Sequence, residues 1–287
     1  MRLMMKNSAP MLIHPHYLAH KRGRDAMKAT LETISARAPR HMQEAVYGDG
    51  YMRMGGVAIM PVFGAMMKGG GYPDQSEMRG AMKALKADVD VKCVLKIFDS
   101  PGGSVAGTAD YAEAISSLGK PTIAYCEDMC ASAAYWGASC CDKIYANSTA
   151  FVGSIGVISW LTDATKYYED AGIKEIPITT GKFKAAGDPS QPATEETIEY
   201  MQSKIDAIYE QFVSTVAKRR GISKAKIKEM NAAVFVGEDA VSNGLVDGIC
   251  SLDDCFDMAA KIANRWNPSK TKAMIESLEI EAALCGM

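Results

Sequence analysis

Histidine is scarce in this chain of 287 residues, with only four occurrences, at His14, His16, His20 and His41. All four precede the first segment with the pattern of a buried strand, so the part of the chain that carries the glycine-rich motifs has none. A serine nucleophile in that part would therefore need a base other than histidine.

Long apolar runs and a strong charge imbalance are also missing. No stretch approaches the ~18 uninterrupted apolar residues of a membrane-spanning helix, and residues 1–11 lack the apolar run of a secretion signal. The sequence thus predicts a cytoplasmic protein without a membrane anchor. The formal net charge of -2 gives no electrostatic attraction for nucleic acid or anionic lipid, so we expect no nucleic-acid partner.

The eight cysteines are too dilute for a small disulfide scaffold, and without a secretion signal we interpret them as free thiols. Cys126 and Cys130, followed by Cys140 and Cys141, invite a zinc interpretation. Adjacent cysteines fit tetrahedral ligand spacing poorly, however, and no histidine lies nearby. We therefore predict no metal site.

Short apolar segments alternate with helical patterns from Val57 onward. This alternation predicts an α/β fold with a parallel sheet, and continuous apolar runs indicate strands that are covered on both faces. Strands are predicted over residues 57–62, 91–98, 122–125, 143–146 and 175–180. We divide the chain into an N-terminal arm or pro-segment (1–50), a folded domain (51–266) and a C-terminal extension (267–287).

A long helix is predicted from Thr194 to about Arg219, because Thr194 is followed by glutamates and Gly221 ends the pattern. Its apolar residues recur at alternating spacings of three and four. Such a stripe fits packing against its own domain or a contact with another subunit. It consists of Ile198, Met201, Ile205, Ile208 and Phe212.

The segment Asp99-Ser100-Pro101-Gly102-Gly103 follows a predicted buried strand, at the end of an α/β sheet where ligands usually bind. Consecutive glycines let backbone N–H groups approach a ligand closely. This suits both an oxyanion hole and backbone pairing with an extended peptide. Taken alone, the same residues also fit an ordinary tight turn.

Ser132 is predicted in the first turn of a helix, where unpaired N–H groups stabilise negative charge, although a helix-capping serine fits there as well. Lys182 and Lys184 follow the predicted strand 175–180. A lysine that accepts a serine proton must be uncharged near neutral pH, so a catalytic role predicts a buried amine. A solvated surface lysine is the ordinary alternative for either residue.

Several ordered motifs together resemble a known family over residues 55 to 250. They are Asp99-Ser100-Pro101-Gly102-Gly103, Cys130-Ala131-Ser132-Ala133, Gly153-Ser154-Ile155-Gly156-Val157, Lys182-Phe183-Lys184 before Gly187-Asp188-Pro189, Gly237-Glu238-Asp239-Ala240 and Gly244-Leu245-Val246-Asp247. These motifs are similar to those of serine peptidases typified by bacterial signal peptide peptidase A, and most of all to soluble relatives in tailed phages that mature the prohead.

The resemblance implies a ClpP/crotonase-like fold with repeated ββα units and a Ser-Lys dyad within residues 51–266. Ser132 would be the nucleophile and Lys184 the general base, with Lys182 outside the dyad. The sequence departs from the family pattern at Ala133 and Ala134, directly after the nucleophile, where many relatives have glycine. Their two methyl groups could narrow the substrate cleft.

The resemblance also implies which residues would form the oxyanion hole and which would orient the lysine. Gly103, with Gly102 as a further candidate, and the N–H of Ala133 would form the oxyanion hole. Ser154 would orient the lysine amine, although a turn serine fits that position equally well.

The implied activity is peptide-bond hydrolysis through an acyl-enzyme, by a homo-oligomer that acts on peptides or proteins. This reaction requires no metal and no organic cofactor. A phage or prophage head maturation protease would cleave capsid and scaffold proteins in the host cytoplasm or within the prohead. Three alternatives stay open: a cytoplasmic signal-peptide-peptidase-like protease that degrades peptides, a crotonase-type acyl-CoA enzyme, and an inactive scaffold protein of the same fold.

Overall fold

The structure is a computed structural model, and it describes residues 11–13, 32, 45–47, 50–68 and 73–266. The four histidines and the C-terminal extension 267–287 lie outside these residues. The domain boundaries drawn from the sequence stay predictions.

Strands and helices are numbered here in chain order. The strands are β1 (Met11–Ile13), β2 (Ala45–Tyr47), β3 (Met52–Met54), β4 (Val57–Phe63), β5 (Cys93–Ser100), β6 (Gly102–Ser104), β7 (Thr122–Ala131), β8 (Lys143–Ala146), β9 (Phe151–Gly153), β10 (Val234–Val236) and β11 (Gly248–Ile249). The helices are α1 (Gln75–Ala87), α2 (Thr108–Ser116), α3 (Ala133–Ala138), α4 (Thr165–Asp170), α5 (Glu195–Arg220), α6 (Lys224–Glu229), α7 (Glu238–Ser242) and α8 (Leu252–Arg265).

A parallel set of strands forms the centre of the main sheet, as the sequence predicts. β4, β5 and β7 pair in parallel, and β7 continues in parallel with β8 along its first half and with β9 along its second half. Antiparallel strands extend both sides, with β10 beside β9 and with β3 and β2 beside β4. β6 stands apart from this sheet and pairs with β1.

Apolar side chains cover both faces of the central strands, which explains their continuous apolar sequences. On one face α1, α2, α3 and the C-terminal half of α5 enclose the larger core, where the rings of Trp136 and Phe212 stack with centroids 4.6 Å apart. On the other face α8 contributes Leu252, Phe256 and Ile262 to a second core. The two cores hold the carboxyl ends of β5 and β7 side by side.

Asp247, in the motif Gly244-Leu245-Val246-Asp247, has a structural role. Its carboxylate accepts a hydrogen bond from the N–H of Ile144 at 2.7 Å and forms an ion pair with Arg220 at 3.0 Å. These contacts join β8 to the end of α5. The motif therefore contributes to the fold rather than to the site.

The predicted strand over residues 175–180 is wrong. All ten residues from 171 to 180 are exposed, and residues 173–179 have no regular structure. Pro177 gives a physical reason, because proline lacks the N–H that a central strand needs.

Helix α5 confirms the predicted long helix, beginning after the Thr194 cap and ending at Gly221. Only its C-terminal half is buried, through Phe212, Val213 and Val216. Ile198, at the other end, is 50% exposed. Packing against the chain's own core thus accounts for only part of the apolar stripe. None of the helices described here is both long and apolar enough to cross a bilayer.

Lys96 is completely buried in the larger core, on β5. Its amine lies 2.9 Å from the sulfur of Met60 and 5.0 Å from the ring centre of Tyr111. Burial away from water lowers the pKa of this amine to about 7. About half of the Lys96 amines are therefore uncharged in the folded protein at pH 7 and most of them above that pH, whereas in the unfolded chain Lys96 stays charged to a much higher pH.

We expect Lys96→Met to stabilise the protein at pH 7 by on the order of 3 kcal/mol, because the unfolded chain binds a proton that the folded protein releases. The difference in free energy of unfolding between Lys96→Met and wild type should shrink as the pH rises from about 7 towards 10.5, the ordinary pKa of lysine. Urea unfolding at pH 7, 8 and 9 measures it, with the exposed Lys83→Met as control. Equal stability of wild type and Lys96→Met at pH 7 would contradict the prediction.

Candidate active site

Ser132 occupies a strained turn between β7 and α3. Its backbone angles are φ 57° and ψ -123°, a combination that a residue with a side chain rarely adopts and that costs roughly 1–3 kcal/mol. Its N–H donates to the C=O of Gly153 at 2.8 Å, and its C=O accepts from the N–H of Trp136 at 2.9 Å. The surrounding backbone thus holds a buried serine in an unfavourable conformation.

The same turn occurs a second time in this chain, with glycine. Gly237, between β10 and α7, has φ 52° and ψ -121°. A Cβ at Gly237 would lie 2.3 Å from the C=O oxygen of Ser148. Glycine is the usual residue for this conformation, so a serine at position 132 requires a reason other than the backbone path.

A loop crossing fixes β6 close to Ser132. The N–H of Met66 donates to the C=O of Gly102 at 2.8 Å, and the N–H of Ser104 donates to the C=O of Met66 at 2.8 Å. A Cβ at Gly103 would lie 1.7 Å from the Met66 oxygen, so only glycine fits there. Helix α3, which starts directly after Ser132, contacts β6.

The two glycines of this motif have different roles. The N–H of Gly102 donates to the hydroxyl of Ser100 at 3.2 Å, and that hydroxyl donates to the C=O of Gly64 at 2.7 Å. Gly102 also has φ 93°, so it shapes the turn. The geometry therefore favours Gly103, together with the first-turn N–H of Ala133, over Gly102 as the oxyanion donors.

Gln75 supports this loop and was missed from the sequence. It is completely buried at the start of α1, and its side-chain amide donates to the C=O of Met66 at 3.2 Å and to the C=O of Ser104 at 3.0 Å. These bonds tie the Met66 loop to the end of β6, on the same edge where Met66 pairs with β6. No local motif marks Gln75, because its partners lie 9 and 29 residues away.

Ser154 lies next to the turn of Ser132, because the C=O of its neighbour Gly153 accepts the Ser132 N–H. Its φ is 52°, and its N–H donates to the C=O of Ala233 at 2.8 Å. The Gly153-Ser154 backbone is thus held between Ser132 and Ala233, the residue before β10. The structure brings Ser132, Ser154 and the β6 glycines to the same end of the sheet.

Lys184 departs from the burial that a catalytic role predicts. It is exposed, in a turn between Gly181 and Gly187, and no hydrogen bond or ion pair of its amine occurs within residues 50–68 and 73–266. Lys182, by contrast, forms an ion pair with Glu196. Phe183, between them, stacks on Tyr200 at a centroid distance of 4.1 Å.

Lys184 belongs to a long exposed stretch, residues 156–211, which we call the exposed arm. No residue of the exposed arm is buried, although it carries large apolar side chains. Trp160 is 68% exposed, Tyr167 72%, Ile176 70% and Ile178 98%. Several large apolar side chains exposed along one segment are a feature of protein interfaces.

The structure holds no cluster of three or more histidine, cysteine or acidic side chains suited to a metal ion within the residues it describes. The cysteines from Cys93 to Cys255 are free thiols. Burial raises the pKa of the Cys141 thiol to about 12, which leaves it protonated at neutral pH.

Residues 114–265 match the protein family described as peptidase family S49. The chain belongs to peptidase family S49. The matched residues include Ser132, Ser154 and Lys184 but begin after β6.

Two phage proteins are among the curated relatives of this S49 chain. It is 30% identical over 282 residues to the head-tail preconnector protein GP5 of Enterobacteria phage P21, which covers 89% of this chain and 56% of that protein. It is 30% identical over 215 residues to the capsid assembly protease C of Escherichia phage lambda, which covers 72% of this chain and 49% of that protein. The S49 chain thus spans about half the length of these two relatives.

A solved enoyl-CoA hydratase from Shewanella pealeana shares the fold of the S49 chain. The TM-score is 0.50 at 15% identity, over 87% of this chain and 84% of the other. The predicted ClpP/crotonase-like fold is confirmed. At this identity the likeness concerns the fold alone.

We expect Ser132→Gly to raise the free energy of unfolding by about 1 kcal/mol, because relief of ~1–3 kcal/mol of backbone strain exceeds the ~0.5–1 kcal/mol entropy cost of glycine. Ser132→Ala keeps the Cβ and the strain, so its stability should stay close to that of wild type. Urea unfolding of the three proteins measures the difference. A Ser132→Gly variant that is less stable than Ser132→Ala by the full ~0.5–1 kcal/mol glycine cost would show that the turn is unstrained.

Proposed function

We propose that this chain is a serine endopeptidase that hydrolyses peptide bonds with a Ser132-Lys184 dyad. Lys184 takes the proton of Ser132 as the Ser132 oxygen attacks the carbonyl carbon of the substrate. Lys184 then gives this proton to the leaving nitrogen as the C–N bond breaks and the acyl-enzyme forms. Water then releases the acyl group and regenerates the serine. The N–H groups of Gly103 and Ala133 stabilise the oxyanion.

The strained backbone of Ser132 is the observation that carries this proposal. Nearly the same backbone angles occur at position 237 on a glycine, the residue that adopts them without strain. Unfavourable backbone angles of this kind persist mainly at functional sites, where neighbouring structure enforces them. A serine at the start of a helix that contacts the strand of Gly103 is a suitable nucleophile.

Lys184 is favoured as the base over Lys182 because the Lys182 amine is already held in an ion pair with Glu196. Lys184 is exposed in a single chain, and water stabilises the charged form of an amine. We therefore propose that the chain acts as a homo-oligomer, in which a second copy covers the exposed arm. Such cover would remove Lys184 from water and bury the apolar side chains beside it.

The phage relatives support a role in head maturation. One is named a head-tail preconnector protein and the other a capsid assembly protease. By this likeness the substrates of our chain are capsid and scaffold proteins, cut in the host cytoplasm or within the prohead. Ser154 is the proposed partner that orients the Lys184 amine.

The dyad is tested by co-expression of the chain with a candidate capsid or scaffold protein, followed by intact mass spectrometry. We expect cleavage by wild type and Lys182→Ala, and at least a thousandfold loss in Ser132→Ala and Lys184→Ala, because the nucleophile and its base act as one unit. Cleavage by Ser132→Ala would refute the nucleophile.

A serine-reactive fluorophosphonate serves as the substrate-independent control. Labelling at Ser132 in wild type supports a serine enzyme and opposes both the acyl-CoA and the inactive-scaffold alternatives. Normal labelling of Lys184→Ala would refute Lys184 as the base.

The proposed oligomer predicts that Ile176→Asp with Ile178→Asp lowers the native mass measured by light scattering, because charges in an apolar interface oppose association. Val89→Asp is the matched control, since Val89 is 78% exposed but lies outside the exposed arm. An unchanged native mass in the double variant would exclude this part of the arm from the interface. Loss of Ser132 labelling together with the mass change would tie activity to assembly.

A further inference from the structure

The chain's own N-terminal segment lies along the strand that carries the proposed oxyanion donor. β1 pairs with β6 in antiparallel orientation, with Met11 opposite Ser104, Leu12 opposite Gly103 and Ile13 opposite Gly102. β6 and β1 form a two-stranded sheet that stands apart from the main sheet. Its outer edge is where an extended peptide would add by backbone pairing.

Alternate residues of a strand direct their backbone groups to opposite edges, and this shows which groups of β6 face β1. The C=O of Gly102 and the N–H of Ser104 both bond to Met66, so these two groups point to one edge of β6. The N–H and C=O of Gly103, between them, therefore point to the opposite edge, where Leu12 lies. Leu12 and Gly103 form a hydrogen-bonded pair, with the Leu12 C=O facing the Gly103 N–H.

The Leu12 carbonyl thus takes the position that the proposed function gives to the carbonyl of a substrate. Gly103 N–H is one proposed oxyanion donor, and Ala133 supplies the other from the start of α3, which contacts β6. Ser132 immediately precedes that helix. An incoming peptide needs the same Gly103 amide, so it competes with β1 for the edge.

We propose that residues Met11–Ile13 occupy the peptide-binding edge of β6 in place of a substrate and thereby restrain the enzyme. This inference rests on the proposed function. The segment offers Gly103 only one hydrogen-bonded pair, and each net bond contributes about 0.5–1.5 kcal/mol. The restraint is therefore one that a competing protein chain displaces.

Two proline variants of the full chain test the restraint. Leu12→Pro removes the N–H that donates to Gly103, whereas Met11→Pro removes an N–H that points away from β6. The first readout is hydrogen exchange of the Gly103 amide, measured in a Ser132→Ala background so that no catalysis intervenes. We expect at least tenfold faster exchange for Leu12→Pro, and a rate within twofold of the parent for Met11→Pro.

The second readout is the rate at which a fluorophosphonate labels Ser132 in otherwise wild-type chains. We expect about fivefold to tenfold faster labelling of Leu12→Pro, as the loss of ~1 kcal/mol of pairing predicts, and no change for Met11→Pro. Equal exchange and equal labelling rates in all forms would overturn the restraint while leaving the serine enzyme intact. Faster exchange without Ser132 labelling in any form would instead refute the proposed function and keep the β1 pairing.

Discussion

The close approach of two backbones at Gly103 is the constraint on which the rest of the site depends. The Met66 carbonyl occupies the place where a side chain at position 103 would begin, with 1.7 Å between its oxygen and a Cβ built there. This contact directs the Gly103 amide to the opposite edge, because the flanking groups of β6 are used by Met66. The side-chain amide of Gln75 donates hydrogen bonds to the C=O of Met66 and to the C=O of Ser104. A methyl group at Gly103 would therefore displace the loop and turn away the proposed oxyanion donor.

The backbone conformation of Ser132 is likewise enforced by tertiary contacts. Its unfavourable backbone angles persist because Gly153 and Trp136 hold its amide and carbonyl, and because β7 pairs with β9 up to Ala131. The tertiary structure thus maintains a strain that the local sequence alone would release. Gly237 has nearly the same backbone angles. These angles therefore do not by themselves require a serine.

The two lysines of interest show that burial and function need separate arguments. Lys96 is buried and its pKa is lowered to about 7, yet it lies among Met60 and Tyr111 in the core, away from Ser132's turn. Lys184 lies in the family motif but is exposed in a single chain. A lowered pKa marks a catalytic lysine only where a nucleophile lies within reach. A second copy over the exposed arm is the proposed source of burial for Lys184.

Much of the fold could be predicted from the sequence, because apolar runs, glycines and helix caps act over a few residues. The alternation of strands and helices, the long helix α5 and the glycine turn after β5 follow from such local patterns. The sequence did not determine whether the 175–180 segment joins the sheet, since its apolar residues suit a strand while Pro177 opposes one. The clamp by Gln75, the burial of Lys96, the choice of Gly103 over Gly102 and the pairing of β1 with β6 were decided only by tertiary structure. Each depends on contacts between residues far apart in the chain, and local periodicity carries no information about those contacts.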